Sequence, residues 1–75
     1  MTNAYMVIDV SSNTFTKQEK IVVQLLSEGF SSKQIAWQLK ISQNTIDNHR
    51  KNMLKKTNTK NVAELVAVLI RQNFI

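Results

Sequence analysis

Three stretches of this chain repeat one local pattern: a Thr, Ser or Asn, then Glu or Gln three residues later, at the head of an apolar run. They are Thr16-x-x-Glu19, Ser31-x-x-Gln34 and Asn61-x-x-Glu64. In a capping box the first side chain accepts from a backbone N–H one turn in, and the second reaches back to the cap's own N–H. The pattern therefore marks helix starts. Ser42 can cap a further helix without the reciprocal partner. Proline is absent and Gly29 is the only glycine, so little interrupts the segments between these starts. The expected fold is all-α, a four-helix domain with a short N-terminal extension.

The first helix opens at Thr16, with Ile21, Val22, Leu25 and Leu26 expected inward and Lys20, Gln24, Ser27 and Glu28 outward. Gly29 falls where a left-handed residue ends a helix, and Phe30 can then fold back onto the preceding turn. The second helix opens at Ser31, with Ile35, Ala36 and Leu39 inward and Trp37 at the rim of the core, where a large and rarely fully buried side chain is expected. Lys40-Ile41-Ser42 is too short a connection for two antiparallel helices, so they cross steeply in helix-turn-helix geometry. The third helix runs to a polar loop at 57–60, and Asn58 can take the left-handed conformation that ends it. In the fourth, Val62, Leu65 and Leu69 face one way, while Ala63, Val66, Ala67 and Ile70 continue round. One core needs one stripe. The surplus suggests a second contact, with a partner subunit favoured over the N-terminal segment. Tyr5, Met6, Val7, Ile8 and Val10 make that segment apolar; it could be a strand remnant, a linker or a stretch packed back on the core.

Ser42 to Lys56 is the stretch around which the rest is arranged. At about 100° per residue, Ile46, Met53 and Thr57 form one narrow stripe, with His49 at its edge. Asn44, Asp47, Asn48, Lys51 and Lys55 lie opposite. Amides and carboxylates can read base edges and ammonium groups can hold phosphates; the same face also fits an ordinary solvated helix surface. Charge weighs toward nucleic acid. The net charge is +5, and Arg50, Lys51, Lys55, Lys56 and Lys60 place five positive charges between residues 49 and 60 with no acid among them. The remaining basic residues are numerically cancelled by acids, so the excess sits on the second half of this helix and the following loop. That is the footprint of a polyanion partner.

Other classes fit poorly. There is no cysteine, hence no disulfide or thiolate metal site, and His49 is the only histidine. An enzyme, a bound metal and a cofactor are not expected. No apolar run approaches the roughly 18 residues of a membrane span, so a cytoplasmic protein with no membrane partner is expected. Seventy-five residues suit one domain, near the lower limit for a self-sufficient core.

The chain resembles the LuxR/FixJ type of bacterial helix-turn-helix domain from Phe15 to about Val68. The matching pieces are FTKQEKIVVQLLSEGFSSKQIAWQLKIS, QNTIDNHRKNMLKK and NVAELV. Several spaced features agree: Thr16-x-x-Glu19, Gly29, Lys33-x-Ile35-Ala36, Leu39-x-Ile41-Ser42, Thr45-Ile46, His49, Met53 and Asn61-x-x-Glu64. The resemblance implies a DNA-binding domain of a transcription regulator whose third helix, about 43–57, enters the major groove, and which pairs as a homodimer through the fourth helix. It implies that Asp47, Asn48 and Lys51 face the bases, beside Asn44 on the same polar face. It implies that Lys33, Ser42 and Thr45 hold phosphates; the charge of the basic patch adds Arg50, Lys55 and Lys56 as expected phosphate contacts. The dimer interface would be Ala63, Val66, Ala67 and Ile70.

Some residues depart from the family's pattern. Asp47 stands where lysine or arginine is common, and Lys40 where glycine is common. Thr57 and Thr59 replace usual leucine and valine, which predicts a less firmly packed end of the third helix and a marginally stable domain. Residues 1–14 are expected to be an extension or linker and 15–75 the domain, either a piece of a longer regulator or a short stand-alone one. The expected partners are double-stranded DNA and a second copy, with another regulator or RNA polymerase beyond them. The competing reading is a protein-interaction module of the same fold with weak or no DNA binding. A sigma-factor region is a near relative, but the fourth helix after Asn61 argues against it.

Overall fold

A computed structural model describes residues 10, 11 and 13–75. Its four helices are α1 (Lys17–Ser27), α2 (Ser32–Leu39), α3 (Gln43–Thr57) and α4 (Val62–Arg71). Each starts where a capping residue stands. Thr16 with Glu19 and Ser31 with Gln34 form complete reciprocal boxes, and Ser42 Oγ accepts from the Thr45 N–H at 3.1 Å. Asn61 departs from the expected box. Its Oδ1 accepts from the Glu64 N–H at 2.8 Å, but the Glu64 carboxylate accepts from the Lys60 N–H, one residue beyond the cap. The chain enters α4 bent so that Lys60 presents its amide.

The four helices end alike. Gly29, Lys40, Asn58 and Asn73 all have φ between 55° and 98°, in the left-handed region. The following residue then donates its N–H back across the last turn: Phe30 to Leu25, Ile41 to Ala36, Thr59 to Leu54 and Phe74 to Leu69. This satisfies carbonyls a helix would otherwise leave bare. It also aims Phe30, Ile41 and Phe74 at the core, against which they pack. No atom lies within 4 Å of where a Cβ on Gly29 would be, so its backbone conformation, not crowding, calls for glycine.

The core is Phe15, Val22, Val23, Ile35, Ala36, Ile46, Met53, Leu65 and Leu69. α3 runs through its middle and packs on α1, α2 and α4. Its buried residues are Ile46, Met53 and Thr57, the stripe the helical wheel predicts. In α1 the inward face is turned from the expected one. Val23 is fully buried, and Ile21 is 39% exposed. The fold tucks the α1 stripe of Glu19, Val22 and Val23 against α3, which rotates Ile21 to the edge. Trp37 is not at the core rim: it is 83% exposed, because Ile35 and Ala36 take the buried side of the short α2. In α4 the buried residues are Leu65, Val68 and Leu69, with Val62 only partly covered.

The two ends of the described chain meet. Phe15 and Phe74 stack edge to face with ring centroids 5.4 Å apart, and the Val10 N–H donates to Gln72 Oε1 at 2.6 Å. Val10 is partly buried against the core. Tyr5, Met6, Val7 and Ile8 lie outside the described residues.

Candidate nucleic-acid interface

α3 has two unlike sides. One is buried in the core. The other carries Asn44, Asn48, Lys51 and Lys55, all exposed, with Asp47 partly exposed among them. These are the residues expected to face bases, plus one lysine expected on phosphate. The α3 N-terminus adds two exposed hydroxyls, Ser42 Oγ and Thr45 Oγ1, 2.8 Å apart. Lys33 is exposed in the first turn of α2.

The turn between α2 and α3 is built from Lys40, Ile41 and Ser42. Lys40 takes φ 59°, the left-handed turn that glycine would adopt at less cost. Ile41 plugs it. A side-chain bond fixes the two helices further: Arg50 Nη1 on α3 donates to Ser32 Oγ on α2 at 2.5 Å. Ser32 is buried, and sequence reasoning gave it no role. The signal was the Ser31-Ser32 doublet, in which only one hydroxyl can cap. Arg50 Nη1 also lies 3.8 Å from Asp47 Oδ1.

The basic patch is smaller in space than in sequence. Lys56, expected on phosphate, donates to Glu19 Oε1 at 2.6 Å. The same oxygen accepts from the Thr16 N–H at 2.9 Å. Burial by itself raises the Glu19 carboxyl. The hydrogen bonds from Lys56 and Thr16, with attraction from Lys56 and His49, outweigh it and hold the group below its ordinary value of 4.5. Lys56 is thus neutralised from α1, and Arg50 is tied to Ser32 beside Asp47. The excess charge is therefore not all available on α3. Lys51 and Lys55 are its outward-facing cations, with Lys60 exposed just beyond.

The end of α3 is closed by polar groups. Thr57 and Thr59 are buried, Thr57 Oγ1 donates to the Met53 carbonyl at 2.9 Å, and the two hydroxyls lie 2.8 Å apart. One hydrogen bond between the threonines and one to the Met53 carbonyl tie this corner where larger apolar groups would fill it. On α4, Ala63, Ala67 and Ile70 are exposed and Val66 is half-buried. No helix among the described residues is long and apolar enough to cross a membrane.

Comparison with known proteins places this geometry. The family model for bacterial regulatory proteins of the luxR family matches residues 13–69. The chain is 34% identical over 61 residues to the uncharacterized response regulatory protein YgeK of Escherichia coli K12, covering 81% of this chain and 42% of that protein. It is 43% identical over 51 residues to the regulatory protein SdiA of the same strain, covering 68% and 21%. It thus spans less than half of either relative. With the spore germination protein GerE of Bacillus subtilis 168 it shares 36% identity over 61 residues, covering 81% of this chain and 82% of that one. Among solved structures, the transcription factor GerE superimposes with a TM-score of 0.77 at 33% identity, over 81% of this chain and 91% of the other. Escherichia coli SdiA superimposes with a TM-score of 0.80 at 32% identity, over 97% and 30%. The chain belongs to the luxR family of bacterial regulatory proteins, and residues 13–69 are its helix-turn-helix DNA-binding domain.

Proposed function

We propose that this domain reads double-stranded DNA by sequence, with α3 in the major groove, and that two copies pair through α4. The observation that carries the reading is the division of α3. Ile46, Met53 and Thr57 are fully buried, while Asn44, Asn48, Lys51 and Lys55 stand clear of the core on the other side. Asn48 suits adenine through a bidentate amide pair, and Lys51 suits guanine. Lys33, Ser42, Thr45 and Lys55 serve as phosphate contacts, which set register without reading sequence. Arg50 and Lys56 hold the domain together and place α3. Ala63, Val66, Ala67 and Ile70 form the homodimer contact, so the operator carries two half-sites about one helical turn apart.

Selection of bound sequences from a random duplex pool at two salt concentrations tests this. Two related half-sites are the expected result. Binding without an enriched motif would leave α3 as a backbone holder only. The protein-interaction reading draws on Trp37, which lines a shallow groove with Phe30, Lys33, Gln34 and Gln38. Absence of DNA binding even at low salt would favour it, with another regulator or RNA polymerase as the partner.

A further inference from the structure

We infer that Asp47 selects cytosine at one position of each half-site, by accepting a hydrogen bond from the N4 amine. The inference rests on α3 being the recognition helix and names what one of its residues reads. Asp47 lies beside Asn48 and one turn before Lys51, with 42% of its side chain accessible. Its Oδ1 is 3.8 Å from Arg50 Nη1, close enough for attraction but too far for a hydrogen bond. One N–H of that nitrogen donates to Ser32 Oγ, which holds the guanidinium toward α2. The guanidinium therefore offsets part of the Asp47 charge without filling its lone pairs. A carboxylate with open acceptor sites is presented on the face that meets the bases.

A carboxylate without a proton can only accept. In the major groove guanine offers two acceptors, O6 and N7, and thymine offers O4 beside a methyl group. All of these repel it. Adenine offers the N6 donor next to the N7 acceptor, so one carboxylate oxygen gains while the other is repelled. Cytosine offers a donor with no acceptor beside it on that edge. Phosphates repel Asp47 everywhere, so the side chain has a favourable place only over a base amine. The residue then works twice: it rewards cytosine at its own position and lowers affinity for DNA that lacks it there. The competing account is a solvated carboxylate that acts on Arg50 alone.

The test is bound-sequence selection with the full chain as wild type, Asp47→Ala and Asp47→Asn, each first checked for native helicity by circular dichroism. The wild type should enrich cytosine at one half-site position roughly tenfold over other bases. Asp47→Ala should lose preference at that position alone and bind random DNA more tightly. Asp47→Asn should move the same position toward adenine. If Asp47→Ala does not fold, the adenine shift of Asp47→Asn decides. A wild-type motif with no Asp47-dependent cytosine overturns this inference and leaves the proposed function standing. So does Asp47→Ala binding every sequence more tightly by one common factor. A wild type that enriches no motif overturns the sequence-reading function, and this inference with it.

Discussion

The carboxylate of Glu19 and the ammonium of Lys56, 37 residues apart in the chain, meet at 2.6 Å and tie the first turn of α1 to the last turn of α3. The Glu19 side chain is 3% exposed and that of Lys56 is 36% exposed. The pair is thus half wet, and removing one partner should cost less than in a fully buried pair. Glu19 also closes the α1 capping box, so it does two jobs through one oxygen. Glu19→Gln keeps the shape and removes the charge. It should destabilise the domain by about 1–2 kcal/mol, a fall of roughly 4–16 °C in melting temperature for a chain of this size.

The same pair predicts the acid response. The Glu19 carboxyl is held below its ordinary 4.5 in the folded state. Its contribution is therefore full above about pH 4.5 and is lost as pH falls through the lower folded value. Thermal melts from pH 7 to pH 2 should show wild-type stability decaying on the acid side. Glu19→Gln should lack this part of the decay. Parallel curves for the two proteins would refute the assignment.

Lys51 and Lys55 should separate in their effects on DNA binding. Lys51→Ala should cost about 1–3 kcal/mol on the preferred sequence and relax preference at one base pair. Lys55→Ala should weaken binding to all sequences alike and reduce the slope of log affinity against log salt by about 0.9. Titrations of cognate and scrambled duplexes at several salt concentrations read both. Equal losses on the two duplexes for Lys51→Ala would make it a phosphate contact.

Lys40 holds φ 59° without being glycine. Lys40→Gly relieves that conformation at the cost of a freer unfolded chain. The net should be a gain of about 0.5–1 kcal/mol, seen as a melting temperature a few degrees higher. A lower melting temperature would mean that the Lys40 side chain supports the turn.

Ala67 is exposed on α4. Ala67→Glu should keep stability within about 0.5 kcal/mol, as exposed substitutions usually do. It should nevertheless abolish pairing, so that DNA with two half-sites is bound by single copies. Sedimentation with and without DNA distinguishes this from a monomer that never paired. Unchanged assembly would move the interface off α4.

Helix starts and stops were legible because they depend on residues within a few positions of one another. Thr16, Ser31, Ser42, Asn61, Gly29 and Asn58 all took the expected places. The buried stripe of α3 was legible because three widely spaced residues leave one choice of face. The α1 face was not. Ile21, Val22, Val23, Leu25 and Leu26 make an apolar arc of roughly half the helix with Ile21 and Val23 at its two edges, and only the position of α3 decides that Val23 goes in and Ile21 out. The exposure of Trp37 was not legible either, because residue type alone says nothing of how short α2 is, or of which side its neighbours cover. Glu19 read as a cap and Lys56 as one of a charge run. Their bond joins two ends of the fold, and no local spacing reveals it. The expected base-facing and phosphate residues remain proposals, since their partners lie outside the chain.

α3 packs against each of the other helices, so it cannot come undone while the rest of the domain stays folded. The interior amides of α3 should exchange with solvent only when the whole domain opens. The surface proposed to meet DNA is therefore already ordered before any duplex arrives, and docking through it should incur little of the entropy cost borne by segments that fold on their target. Association should then show a heat-capacity change matched to the contact area alone, and discrimination between sequences should appear mainly in how fast each complex comes apart.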